Sequence, residues 1–273
     1  MNKNKKNLVV FLGGADAEMS AIREVLQQTG IEFVDNQLGW GAKISDYSDR
    51  IKEALSSNRE VVTIELINDI NLKGLVEIDH HGERSTEPAS ILQVLKLIGI
   101  EPTRRQQLIA ANDSGYIPAM LALGATPEEV AEIRLLDRSA QGITSEMEAE
   151  AERAIANTET INGITVIRMS HSKCATVSDR LFDPSKPQNL LILSGDGESN
   201  YYGNGLLCQL LKGEKTGTAP APWDASQTIE TFSNFGGWNG GAGLGDPESY
   251  GFWGGYGDQE AIKSFIVDYF AEK

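Results

Sequence analysis

Two kinds of side chain are scarce in this chain of 273 residues: there are two cysteines and three histidines. Cys174 and Cys208 stand far apart and share no CxxC spacing, so neither a disulfide framework nor a zinc knuckle is expected, and a reducing cytoplasm is the expected location. Basic residues are few as well. Against 39 Asp and Glu there are 24 Lys and Arg, a formal net charge of −15. That balance argues against long duplex nucleic acid held by phosphate neutralisation, while a short, locally bound anion stays open. No apolar run has the length of a membrane span, so no membrane is expected as a partner. The opening MNKNKKNLVVFLGGADA carries the lysines and small-residue end of a secretory leader, but Leu8 to Leu12 is short for its apolar part and reads better as a buried first strand.

What is present is the composition of a globular protein, with 40% hydrophobic and 23% charged residues, enough for one large domain or two ordinary ones. NLVVFLGGADAEMSAIREVLQQTG reads as strand, glycine turn and helix, with Ala21, Ile22, Val25 and Leu26 as the apolar stripe and Gly30 as the stop. IEFVD, EVVTIELI and LKGLVEID are further β-rich runs, with a helix at about residues 45–56 between the first two. Helices are also expected in STEPASILQVLKLIG, directly behind a His-His pair, in TPEEVAEIRLLDRSA, where Thr126, Pro127 and Glu129 form a capping pattern, and in TSEMEAEAERAIAN. Strands alternating with helices predict an α/β fold, a mostly parallel sheet with helices on both faces. From about residue 158 the character changes to short β runs, a proline-bearing stretch KTGTAPAPWD and the glycine-rich FGGWNGGAGLGDPESYGFWGGYG, closed by an amphipathic helix. A boundary there gives a first domain of residues 1–157 and a smaller C-terminal α/β domain of residues 158–273.

Two of the three histidines stand side by side in GLVEIDHHGE, at the end of an apolar run. In an open parallel sheet, residues just past the carboxyl ends of strands converge on one crevice. Asp16, Glu65, the Asp79–His80–His81 group and Asp113 in IAANDSGY all occupy such ends or follow apolar segments. Carboxylates with imidazole are ligands suited to manganese, magnesium or zinc. Each also has a plain structural reading: Asp16 as a turn residue beside Gly13 and Gly14, Glu65 as a lysine's partner at the sheet edge, Asp113 as part of an Asn-Asp helix end, His171 as a polar strand-end residue.

IDHHGERS, the helix behind it and AANDSGY together resemble the DHH phosphoesterase superfamily, which includes single-strand exonucleases, nano-RNases, cyclic-dinucleotide phosphodiesterases and family II pyrophosphatases. The resemblance implies a two-domain hydrolase with one or two divalent ions, Mn2+ or Mg2+, in an interdomain cleft. It assigns His80, Asp113 and Asp16 as metal ligands, His81 as the substrate-side imidazole and Asp79, beside the site, as support of the histidine pair; Glu65 stands where the second motif has an aspartate. The first motif departs from the pattern. No histidine precedes His80, and the alignment sets either Gly14 and Asp16, or Asp16 and Glu18, on the usual pair of aspartates.

Arg84, Lys173 and Arg180 are the candidate phosphate clamps, and Trp238, Gly240, Gly241 and Trp253 the candidate base and phosphate contacts in the glycine-rich segment. That segment reads equally as an ordered loop plugging the second domain's core. The expected function is metal-dependent hydrolysis of a small nucleotide or short oligonucleotide; the competing expectation is a DHH-like nucleotide-binding regulator with weak or no catalysis. A homodimer is compatible with the sequence.

Overall fold

The computed structural model describes residues 7–183, 188–221, 224–241 and 243–271; the lysine-rich tip and part of the proline-bearing stretch lie outside them. The chain divides into two compact units, residues 1–142 and 143–273.

The first unit is built on four parallel strands, β1 (Leu8–Leu12), β2 (Glu32–Asp35), β3 (Glu60–Ile64) and β4 (Leu75–Ile78), in the order β2-β1-β3-β4. Every residue of β1 is buried, as expected of a central strand covered on both faces. The chain steps from β1 to β2 in one direction and from β2 to β3 in the other. Right-handed crossovers therefore place the intervening helices, α1 (Ala17–Thr29) and α2 (Ser48–Ser56), on opposite faces. Val9, Phe11 and Val61 meet Ile51 of α2 and Ile44 and Tyr47 of the 3-10 turn that precedes it. Around α1 pack α3 (Ser90–Ile98), α4 (Arg104–Ala122) and α5 (Pro127–Ala140).

Local signals set most helix ends. Asp16 caps α1 by accepting the Met19 amide, and Gly30 ends it at φ 64°. Thr126 and Glu129 form the capping box of α5, with Pro127 in its first turn. Two details differ from the sequence reading. A 3-10 turn at Gly82–Arg84 separates the histidine pair from α3, which begins at Ser90, beyond Pro88. The AANDSGY segment lies inside α4, whose course breaks at Gly115 (φ −163°, ψ 19°) and Tyr116 (φ 58°, ψ −152°). Pro118 explains the break: it lacks an amide hydrogen, and its ring collides with the carbonyl four residues back, that of Ser114.

In the second unit α6 (Ser145–Ala156) packs on β6 (Ile164–Met169) and α7 (Ala175–Leu181), so it belongs with that unit, whereas the sequence reading drew its boundary after this helix. β5 (Glu159–Ile161) turns into β6 through Asn162 and Gly163, both at positive φ, the backbone of a tight hairpin. β7 (Asn189–Ser194), β8 (Glu198–Asn204) and α8 (Gly205–Lys212) follow. A two-stranded ribbon of β9 (Lys215–Ala221) and β10 (Asp224–Phe232) stands where the sequence reading saw only a proline-bearing stretch. The ribbon accommodates Pro220 because it has free edges. β11 (Trp238–Gly240), β12 (Tyr250–Tyr256) and α9 (Gln259–Ala271) complete the unit. Its mixed sheet runs β11-β12-β8-β7-β6-β5, with β6 and β7 parallel. Alternate side chains enter two cores: Val166, Leu191 and Trp253 meet α8 and α9, while Ile167, Leu190 and Ile192 meet α6 and α7. The α/β class expected from the sequence is thus the class observed.

Candidate metal centre

At the carboxyl ends of the first unit's strands, backbone bonds hold the turns together: the Gly13 amide donates to Ile64 O and the Glu65 amide to Ile78 O, both at 2.9 Å. Gly13 is required by this approach, since a Cβ on it would lie 2.5 Å from the Glu65 carbonyl oxygen. Glu65 itself adopts φ 52°, an unusual conformation for a residue with a side chain, and of the kind that accumulates at functional sites.

His80 is the centre of the cluster. Its Nε2 lies 2.5 Å from Asp113 Oδ2, 3.4 Å from Glu18 Oε2 and 3.6 Å from Glu65 Oε1. All four atoms are buried, and none makes a hydrogen bond of sound geometry. Glu18 is 1% exposed, with its other oxygen accepting the Ile91 amide in the first turn of α3. Glu65, His80, His81 and Asp113 each offer a ligand atom, all within 4.8 Å of one another. Burying several carboxylates around one imidazole is costly unless protons or a cation offset the charge. The carboxyl groups register that cost: burial, with the charges of Glu18 and Asp16, pushes Glu65 up to about 9. Burial likewise raises Asp16 to about 6, against the lowering effect of the Met19 amide. Burial alone would lower the His80 ring, but its contacts with Asp113 and Glu18 carry it up to about 10. Orphaned buried oxygens and an imidazole nitrogen converging on one place fit a divalent cation in both donor chemistry and charge.

Asp16 is not a left-handed turn residue: its backbone is extended, at φ −141°, and it is the N-cap of α1. One oxygen caps α1 at 2.8 Å from the Met19 amide, and its carboxyl group feels the charges of Asp113 and Glu18. His81 is held differently from its neighbour: its Nδ1 lies 3.0 Å from Asp79 Oδ1, which also accepts the His81 amide, and its ring centre is 4.2 Å from that of His80. Asp79 thus holds both the ring and the amide of His81.

Among the remaining candidates, Arg84 donates to Glu77 O and faces Glu87. Arg180 is held by Glu148, Glu152 and the Thr176 carbonyl, so its charge is engaged within α6 and α7. Lys173 is exposed at the end of β6, its amide bonded to His171 Nδ1. Trp253 requires a correction: it is 0% exposed and donates Nε1–H to Gly236 O, which makes it a core residue with no ring face to offer a ligand. Trp238 does offer one. It is 42% exposed and lies against Gly254, where a Cβ would come within 2.5 Å of the indole. Gly240 makes room in the same way for Phe252, and Gly241 turns at φ 99°. In the same segment the Gly243 and Gly245 amides are bonded to Tyr250 O and Gly205 O.

The sequence reading left Glu18 as one of two alignments; the structure brings it to His80. Its signal was the Asp-x-Glu spacing at the start of α1, which sets one acid at the cap and the other in the first turn.

No family model and no curated protein matches the chain. Solved structures do align with it. A pGpG-specific phosphodiesterase, PggH from Vibrio cholerae, aligns over 98% of this chain and 99% of its own at 7% identity and a TM-score of 0.41. An uncharacterized protein from Helicobacter pylori G27 aligns over 97% and 100%, at 12% identity and a TM-score of 0.29. Among the described residues no helix is long and apolar enough to cross a membrane. Both cysteines are buried and unpaired.

Proposed function

We propose that the chain is a divalent-metal-dependent phosphoesterase of the DHH type acting on a small nucleotide or short oligonucleotide. The observation that carries this reading is the convergence of Glu18 Oε2, Glu65 Oε1, His80 Nε2 and Asp113 Oδ2, buried and without hydrogen bonds, at the carboxyl ends of β1, β3 and β4 and on α4. Glu65, His80 and Asp113 would hold the ion, with Glu18 and Asp16 beside them, and a divalent ion bound there would supply charge relief to a phosphoryl oxygen and a lowered pKa for an attacking water.

The protein's own groups do the rest. Asp79 fixes the His81 ring through Nδ1, which leaves Nε2 to take or give the proton that moves during phosphoester cleavage. Within the second unit, taken by itself, Trp238 is proposed as a ring on which a nucleotide base stacks, since an indole face accepts any base. Incubation of the purified chain with manganese and a panel of pyrophosphate, cyclic dinucleotides and linear dinucleotides tests the proposal. Hydrolysis of a dinucleotide supports it, and manganese binding without hydrolysis of any of them rejects the catalytic part.

One observation favours the competing reading, a nucleotide-binding protein with weak catalysis. A Cβ at Gly14 would lie 3.4 Å from Glu65 Oε2 and 3.9 Å from Asp16 Oδ2, so a side chain there would enter the acidic cluster, and none exists. Fewer ligands mean fewer ions and slower chemistry.

A further inference from the structure

Glu18 and Asp113 reach the cluster from different helices, α1 and α4, and a buried ion pair on α5 touches both segments. Arg134 and Asp137 are 7% and 6% exposed. Arg134 NH1 donates to Asp137 Oδ2 and to Asn112 Oδ1, each at 2.8 Å. The guanidinium carbon also stands 4.6 Å from the centre of the Tyr116 ring. Asp137 Oδ1 accepts the Ala17 amide at 3.2 Å, and its Oδ2 accepts the Gln141 side chain.

These partners are placed tellingly. Asn112 directly precedes Asp113, and Tyr116 is the residue at which α4 breaks, three positions beyond that acid. Ala17 lies between Asp16 and Glu18, and its amide is among those that a helix start leaves without an intrahelical acceptor. One ion pair therefore grips the backbone between two acids of α1 and the residues on either side of the acid of α4.

We propose that Arg134 and Asp137 are positioning residues that hold Asp113 in register with Asp16 and Glu18 for cation binding; the inference rests on the metal reading above. Stability alone is a poor account of the pair, because a buried ion pair can generally be replaced by neutral groups of similar volume at little cost to the fold. Registry is the better account. Outer partners that orient metal ligands change affinity by about 10–100-fold when removed.

The test is manganese titration calorimetry on the whole chain, paired with thermal melting of the metal-free protein. Arg134→Met alone leaves Asp137 charged and buried, so the decisive variant is Arg134→Met with Asp137→Asn, whose amide oxygen can still accept the Ala17 amide. Arg104→Met is the control: Arg104, at the start of α4, pairs with Glu129 and bonds the Leu123 and Gly124 carbonyls, and its bonds reach none of residues 16–18 or 112–116. The double variant is expected to melt within a few degrees of wild type yet bind manganese about 10–100-fold more weakly, with Arg104→Met binding as wild type does. Wild-type affinity in the double variant overturns the proposal, and so does a joint loss of folding and affinity, which would make the pair a fold element. If the wild-type chain binds no manganese, the metal reading fails and this inference fails with it.

Discussion

Two tryptophans in one glycine-rich segment have different surroundings, and truncating each should give opposite results. Trp253 is wholly buried among Leu191, Tyr201, Leu207 and Ile262, and its indole nitrogen bonds the Gly236 carbonyl at 2.8 Å. Trp253→Ala removes a large core side chain, a change that costs about 3–5 kcal/mol. It also leaves the carbonyl without its donor. In a unit of about 130 residues, a destabilisation of 1 kcal/mol lowers the melting temperature by roughly 4 °C, so the expected drop is roughly 10–20 °C. Trp238, 42% exposed on the edge strand β11, should tolerate Trp238→Ala with little change in melting. What it loses is stacking worth about 1–3 kcal/mol, or roughly 5–150-fold in the dissociation constant of a dinucleotide, with inorganic pyrophosphate affected less than twofold. Differential scanning calorimetry and ligand titration on the two variants separate the roles. A Trp253→Ala protein that melts like wild type would refute the packing argument; equal weakening of dinucleotide and pyrophosphate by Trp238→Ala would refute stacking.

His81→Ala should retain bound manganese while turnover falls by about 10²–10⁴-fold, the range for a positioned proton-transfer group; loss of the metal would instead make His81 a ligand. Gly13→Ala drives a methyl group into the Glu65 carbonyl. It should cost about 1–3 kcal/mol of stability and weaken manganese binding, both readable by titration and melting. Asp16 at about 6 and Glu65 at about 9 sit above the carboxyl values of an unfolded chain, and His80 at about 10 sits above its own. These three groups make the folded, metal-free chain bind more protons than the unfolded one from about pH 5 to about pH 10, above the range of carboxylates that the fold holds low, such as Glu129, Glu150 and Asp246, and stability should fall as pH rises through that window. Melts of EDTA-treated protein check this, and added manganese should stabilise more at pH 8 than at pH 6, with protons released on binding. An EDTA-treated protein that gains stability over the same range contradicts the buried acidic cluster.

How much of this was legible in the sequence follows from the range of each signal. The start of α5 at Thr126 was readable because its capping box is local, and the run LVVFL was readable because a strand covered on both faces is apolar throughout, whereas Asp16 read as a turn residue and is instead the cap of α1. His80, Asp113 and Glu65 stood out because strand ends and a spaced motif point to one crevice. Glu18 was harder: an acid in a helix's first turn usually serves the helix dipole, and only the tertiary fold turns it toward His80. The Arg134–Asp137 pair left no signal, since an Arg and an Asp three apart on a helix read as a surface pair. Trp253 misled because an aromatic among glycines carries no sign of which sheet face it will take. Its neighbour Phe252 is exposed, so the alternation of β12 decides, and register is set by pairing with β8.

The claim on which everything turns is that the buried acids and His80 exist to hold a divalent ion. Manganese titration of the EDTA-treated, dialysed chain, followed by metal analysis of the same sample, tests it directly, with His80→Ala measured alongside. The account predicts at least one tightly held ion per wild-type chain and none in His80→Ala, whose loss opens the centre of the cluster. A folded wild-type chain that takes up no divalent ion, or a His80→Ala variant that binds as much as wild type, would contradict it.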